Sequence, residues 1–334
     1  MPADAQRETA PNGQGTRVPV VDSQVHVWLR PRPRYPWAPG FLEQLPGELV
    51  PRYADHDRSA EELVEMMDRV GVTTTLLTSP WLYGADHSYA FDSARRHPGR
   101  FVVVAPFELP SAAPGSAAPG SALSGSAAPG SALSGSALSA FAAREYALGP
   151  RILLGPPSGG APVSPGAVDA VLADAARLRM PVFVSPMGRL DEVGRMARAY
   201  PEVALVLDHA GLWLAGSIAR RWGLLAAVLE LAVYPNVLVK CTGLPELSAM
   251  PYPFPDLWRI LHPLLDRFGA DRLMWGSDIN QHRDRLTYEE SLAYLHDSPE
   301  ISDADRAQIL GGTATRLLAA RPVVAASARS GGGA

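Results

Sequence analysis

Hydrophobic positions along this chain gather into short, nearly uninterrupted runs, separated by longer stretches in which apolar residues recur every three or four positions. The short runs cover residues 18–22, 72–78, 101–107, 151–155, 181–185, 203–209, 237–242 and 272–278. Continuous apolar character, rather than alternation, marks strands buried on both faces, which is the situation of parallel strands covered by helices. The stretches between them predict helices. Ser59-Ala60-Glu61-Glu62 opens one as a capping box, Leu63, Met66 and Val70 line one face of it, and Gly71 stops it. Residues 168–178, 190–200, 218–234, 255–268 and 303–320 carry comparable stripes. Eight β/α units in succession predict a closed (β/α)8 TIM barrel spanning residues 17–321. An open doubly wound sheet would place a glycine-rich phosphate turn after its first strand, and none follows Val21.

One segment departs from this plan. Residues 111–140 repeat the units SAAPG, SAAPG, SALSG, SAAPG, SALSG and SALSA, with no charge and no aromatic residue. Such a composition buries too little to offset its ordering entropy, so it predicts a flexible pentapeptide insertion over 111–139. A solenoid would need a core to stack, and this unit has none. The insertion stands where the third barrel helix should run, leaving only a short helix around 140–148. The tails, 1–16 and 322–334, are expected to be disordered.

Composition narrows the class of protein. A net charge of -4 gives no electrostatic reason to expect nucleic acid or an anionic membrane as partner. The single cysteine, Cys241, excludes an internal disulfide and a cysteine-based zinc cage. The first residues lack the apolar core of a secretory signal, and no apolar stretch is long enough to span a bilayer. The expectation is a cytoplasmic protein acting on a small molecule, with its oligomeric state left open.

In a (β/α)8 barrel the chemistry lies at the C-terminal ends of the strands. Those ends hold Gln24, His26 and Trp28, then Trp81 and Tyr83, Ser185, Asp208 and His209, Lys240, and Asp278. Because the first and last strands of a closed barrel are neighbours, His26 and Asp278 can share one site. Any one of these residues has a bland explanation: a strand-end histidine commonly packs, and Gly276-Ser277-Asp278 also makes an ordinary turn. Together they are harder to dismiss, since ionisable groups ending buried apolar strands cost desolvation unless used or paired. His282, four residues past Asp278, is placed to reach the mouth. Trp37 and Trp213 lie in loops after strands one and six, where they can wall a substrate pocket or pack on the rim. Arg30, Arg32 and Arg34 read as a solvated patch, Cys241 as core, and His56, His87, His97, His262 and His296 as structural.

These motifs resemble the amidohydrolase-related family (amidohydrolase 2), and within it the sugar-lactonase and dicarboxylate-lactonase branch. The resemblance rests on Val21-Asp22-Ser23-Gln24-Val25-His26-Val27-Trp28, Tyr35-Pro36-Trp37, Leu207-Asp208-His209-Ala210-Gly211, the run from Asn236 to Leu244, and Gly276-Ser277-Asp278. It extends from about residue 18 to about 320, with the repeat as the foreign piece. The family pattern has His-x-His on the first strand and a metal-binding histidine ending the fifth; here those places hold Gln24 and Ser185. Both departures remove an imidazole that zinc would favour. His26, His209 and Asp278 remain, enough for one divalent metal such as zinc with water in the fourth position. The resemblance thus implies a hydrolase opening a small lactone. Asp278 would be the general base, with His26, His209 and Lys240 steadying an oxyanion or clamping a carboxylate. Gln24, Trp28, Trp37, Trp81, Ser185, Trp213 and His282 would contact substrate. Two alternatives stay open: a metal-dependent decarboxylase or amide hydrolase, and a catalytically retired barrel that binds a ligand.

Overall fold

The computed structural model describes residues 19–45, 47, 50–110, 135–155, 163–212 and 218–320. Its eight strands are β1 (Val20–Val25), β2 (Val72–Thr78), β3 (Phe101–Pro106), β4 (Ala147–Leu153), β5 (Val182–Ser185), β6 (Leu205–Leu207), β7 (Val237–Thr242) and β8 (Leu273–Gly276). All neighbours pair in parallel, in sequence order from β1 to β8. This is the predicted TIM barrel. The step from β8 back to β1 is bridged by Asp278 N–H, which donates to Gln24 O at 2.9 Å. The buried Asp22 carboxylate spans the same seam, accepting from Ser277 N at 2.9 Å, Ser277 Oγ at 2.5 Å, Gln24 N at 3.1 Å and Tyr288 OH at 2.8 Å. Strand β8 can lie this close because Gly276 has no side chain: a Cβ there would sit 2.8 Å from Ser23 Oγ on β1.

The core forms two shells. The larger lies between sheet and helices, and includes Val25, Leu63, Val103, Val184, Val239 and Trp275. The smaller fills the barrel, where Val21, Leu76, Val104, Leu148, Phe183, Val206 and Met274 meet. Side chains two positions apart on a strand share a face. The alternation therefore carries Phe183 on to Ser185, Val206 to Asp208 and Leu238 to Lys240, setting a polar layer over this apolar plug. The Lys240 ammonium lies 5.1 Å from the Phe183 ring centre, in contact with that plug.

Local chemistry accounts for most boundaries. Helix Ala60–Val70 starts where Ser59 accepts from Glu62 N and ends at Gly71 with φ of 76°. Strand β6 stops at Leu207, short of the predicted residue 209, because His209 and Ala210 turn left-handed with φ of 51° and 50°. Other predicted boundaries shift as well: β1 runs on to Val25 rather than residue 22, and β8 ends at Gly276 rather than residue 278. Strand β4 begins at Ala147 rather than residue 151. The helix expected at 140–148 is Gly135–Ala142, formed from the last unit of the repeat. Gly149 explains the early start of β4: it does not break the strand, but lets it approach the neighbouring backbone, where a Cβ would fall 2.2 Å from Pro181 O. Residues 111–134 of the predicted insertion, and both predicted tails, lie outside the described residues. Among those described, no helix is long and apolar enough to cross a membrane.

Candidate active site

The polar layer holds the predicted residues Gln24, His26, Ser185, His209, Lys240 and Asp278, all buried. It centres on Asp208. One oxygen of this carboxylate accepts from Lys240 Nζ at 2.8 Å; the other accepts from Arg151 Nε at 2.6 Å and from Ser185 Oγ at 3.1 Å. Arg151 also donates to Ser185 Oγ at 3.0 Å. Burial pushes the Asp208 carboxyl up, but Lys240 and then Arg151 outweigh it and hold the group far below the ordinary carboxylate range. Lys240 is fully buried, with its ammonium on Asp208 and on Gln24 Oε1. The Gln24 amide nitrogen in turn lies 3.0 Å from His209 Nε2.

The second half of the site is built across the β1/β8 seam. His26 Nδ1 lies 2.8 Å from Thr78 O, which orients its Nε2 toward Asp278 Oδ1 at 3.5 Å. Asp278 sits in the left-handed region with φ of 52°, and its Oδ1 is buried without a hydrogen-bond partner. On its other side, Asp278 Oδ2 is 3.8 Å from His282 Nε2, whose Nδ1 lies 3.2 Å from Glu246 Oε1. Burial raises the Asp278 pKa, but interactions with His26, His282, His209 and Arg151 outweigh this and leave it lowered. Burial also lowers both imidazoles, His209 to about 4, against the opposing pull of Asp278. The site therefore presents an ionised carboxylate beside neutral imidazoles.

The aromatic candidates divide. Trp28 is fully buried against Tyr53, with ring centres 5.1 Å apart, and packs rather than lining open space. Trp37 donates its indole N–H to Leu29 O at 2.7 Å and meets Phe41 edge-on. It lines a cleft of about 460 Å³ with Pro31, Arg32, Pro36 and Phe41; none of His26, His209, Lys240 or Asp278 reaches that cleft. Trp81 is half-buried in a short turn after β2. Trp213 lies outside the described residues. The three arginines of the first loop are ion-paired: Arg30 and Arg32 with Asp57, Arg34 with Asp92.

A metal needs more than two of the expected donors. His26 Nε2 and Asp278 Oδ1 face one another as ligands would, but His209 Nε2 meets the Gln24 amide, Gln24 Oε1 receives Lys240, and the Ser185 hydroxyl is held by Asp208 and Arg151. Among the described residues, no group of three or more histidine, cysteine or acidic side chains could hold a metal ion. A catalytic zinc takes three protein ligands. The predicted ligand set of His26, His209 and Asp278 therefore does not fit such an ion here, because His209 Nε2 is engaged elsewhere.

Several members of this cluster escaped sequence reasoning. Arg151 reads as a strand-starting residue, and its inward turn follows from the irregular register between β3 and β4. Glu246 lies in a short turn after β7 with no motif of its own. Asp22 stands in the quoted first-strand motif, so its seam role had a signal, but an aspartate there reads equally as a strand end. His87, expected to be structural, is buried with Nδ1 3.2 Å from Ser79 Oγ.

A barrel of sequential parallel strands with a histidine just past β1 and an aspartate just past β8 defines a class, and the sequence match agrees with it. The chain belongs to the amidohydrolase family, whose profile matches residues 21–319. Among curated proteins, it is 38% identical over 121 residues to an L-fucono-1,5-lactonase of Burkholderia ambifaria, covering 35% of this chain and 39% of that protein. It is 34% identical over 128 residues to an L-fucono-1,5-lactonase of Burkholderia multivorans, covering 34% and 43%. The aligned segments thus span less than half the length of these relatives. Among solved structures, it resembles an amidohydrolase from Burkholderia multivorans with bound zinc, at a TM-score of 0.64 and 23% identity, covering 90% of this chain and 99% of that one. It also resembles a probable 2-pyrone-4,6-dicarboxylic acid hydrolase from Acinetobacter baumannii with citric acid bound, at a TM-score of 0.65 and 16% identity, with coverage of 90% and 99%. At those identities the structural likeness establishes the fold.

Proposed function

We propose that this protein hydrolyses a small lactone, using Asp278 as general base on a water held between Asp278 and His26. The observation that carries the reading is the buried, partnerless Asp278 Oδ1 facing His26 Nε2 at 3.5 Å. Thr78 O can only accept, so the proton of a neutral His26 sits on Nδ1, and Nε2 presents a lone pair. Two acceptors at that separation are satisfied together by one molecule that donates twice, and water does so with its own lone pairs turned outward to an electrophile. His26 then shares the water with Asp278 rather than donating to an oxyanion, which changes the role expected of it. In the reaction, the water oxygen adds to the lactone carbonyl as Asp278 takes one of its protons. Collapse of the tetrahedral intermediate breaks the ring C–O bond, and the departing alkoxide recovers that proton from Asp278, giving the open hydroxy acid. An ester carbonyl is electrophilic enough for this without a Lewis acid, which accords with a donor set unsuited to a metal. The partial similarity to L-fucono-1,5-lactonases supports sugar-acid lactones as the first substrates to try.

Asp278→Asn should lower the rate of lactone opening by about 10³-fold or more, in the range general-base removal reaches, with circular dichroism and melting unchanged. Full activity in that variant would remove Asp278 from the chemistry. Dialysis against a chelator should leave wild-type activity intact. Near-stoichiometric zinc or manganese, with activity lost on chelation, would point instead to a metal-dependent decarboxylase or amide hydrolase. Tight binding of one lactone, with no turnover across a broad ester panel, would mark a retired barrel.

A further inference from the structure

We propose that Lys240 is a positioning residue that acts through Gln24 to fix the tautomer of His209, and that the proton so placed serves a carbonyl-oxygen seat over Gly243. The inference rests on the lactonase reading for what occupies the seat, but the tautomer follows from hydrogen-bond polarity alone. An ammonium has donors and no acceptor, so the Gln24 atom beside Lys240 Nζ is the amide oxygen. That choice turns the amide nitrogen toward His209 Nε2, at 3.0 Å. An amide nitrogen only donates, so Nε2 must accept, and a neutral His209 carries its proton on Nδ1. Lys240 is locked in turn by Asp208, which Arg151 and Ser185 hold from the far side. Five buried side chains in series thus determine which nitrogen of one imidazole bears hydrogen.

That nitrogen faces a gap left by a glycine. A Cβ built on Gly243, at the end of β7 with φ of 63°, would lie 3.8 Å from His209 Nδ1 and 3.5 Å from His282 Nε2, and these are the atoms that crowd it. The two imidazole nitrogens therefore converge on one point that glycine keeps clear. His282 Nε2 is also 3.8 Å from Asp278 Oδ2, so the gap adjoins the general base. A donor aimed at a point beside a base is what a developing oxyanion needs, and His209 Nδ1–H supplies it. Gln24 stands where the resembled family carries histidine, and the relay gives that substitution a use: the amide passes on the polarity of Lys240.

Gln24→Glu tests the relay with almost no change in shape. A carboxylate still accepts from Lys240, but its second oxygen also accepts, so His209 must move its proton to Nε2 to meet it. Nitrogen-15 histidine spectra of the full-length protein, with the His209 signals assigned by their loss in His209→Gln, report the tautomer directly. The expected result is an Nδ1–H form in the wild type and an Nε2–H form in Gln24→Glu, at similar melting temperatures. Lys240→Met, which frees the amide to rotate, should give a mixture. With lactone as substrate, Gln24→Glu should lower kcat by about 10²-fold, the effect of losing one oxyanion donor, with KM changing less than threefold. An Nε2–H wild type would overturn the relay whatever the substrate proves to be. An inverted tautomer in Gln24→Glu with unchanged kcat would overturn the seat. Because the spectra need no turnover, a failure of the lactonase reading and a failure of the relay are separately visible.

Discussion

Asp22 and Asp208 are both fully buried carboxylates inside one barrel, yet the protein treats them in opposite ways. Asp22 is surrounded by neutral donors: two backbone N–H groups and the hydroxyls of Ser277 and Tyr288. Burial dominates there and pushes its pKa up to about 6, with those hydrogen bonds only partly offsetting it. Asp208 suffers the same burial but meets Lys240 and Arg151, and stays ionised. Hydrogen bonds from neutral groups can seat a carboxylate; compensating charge is what keeps it an anion in a low-dielectric interior. The first arrangement suits a seam, where geometry matters more than charge. The second suits a foundation under the candidate site, where one carboxylate anchors two buried cations.

The contrast breaks most visibly at Asp208. Asp208→Asn leaves Lys240 and Arg151 buried without their counter-ion, and should cost about 3–5 kcal/mol of stability, the usual result of removing one partner from a buried ion pair. Urea denaturation at pH 7 measures it, and a loss below about 1 kcal/mol would mean the cations find other compensation. At the seam, Asp22→Asn keeps one oxygen for the backbone donors, and its new amide can donate to hydroxyls able to reverse. The expected loss is about 1 kcal/mol, the scale of one rearranged hydrogen bond. The pH dependence carries the sharper test. Asp22 has a folded pKa raised from 3.8 to about 6, so its contribution is full below pH 3.8 and is lost as pH rises through 6. The stability of wild type relative to Asp22→Asn should therefore fall between pH 4 and 6.5 and then level off. For Asp208, whose folded pKa is depressed, the advantage over Asp208→Asn should hold through neutrality and shrink only in acid. On the same scale, Ser277→Ala removes a single side-chain donor from Asp22 and should cost about 0.5–1.5 kcal/mol, with the Asp22 transition moved to higher pH.

Much of this barrel was legible because parallel strands wear their burial openly: β2 and β7 run over the residues their apolar character predicts. Strand β4 was misplaced because Gly149 and Pro150 carry turn chemistry in isolation, and only the closeness of the Pro181 backbone shows why a glycine belongs inside a strand. The site was legible as a set of positions. Gln24, His26, His209, Lys240 and Asp278 come together, since strand-end ionisable groups in a barrel have one place to go. Their pairing was not legible. Whether Lys240 points into the mouth or down onto Asp208 depends on Arg151 across the barrel, and no spacing in the chain announces that partner. Trp37 lies apart from that cluster for a related reason: loop aromatics are sticky anywhere, and its indole N–H finds Leu29 O beside a separate cleft.

The seam between β1 and β8 has a consequence for how the molecule comes into being. Ser277 and Asp22 are 255 positions apart in the chain, and the adjacent bond from Asp278 N–H to Gln24 O joins the same two ends. Contacts of such separation form late, since the loop they close is nearly the whole domain. The peptide that carries Asp278, the proposed general base, is thus also the one that docks the final strand. A nascent or partly folded chain, whatever else it has assembled, holds His26 without its partner, and the proposed hydrolysis can begin only when the ring is complete. Regain of activity during refolding should then report the last step of the process, lagging the recovery of helical signal.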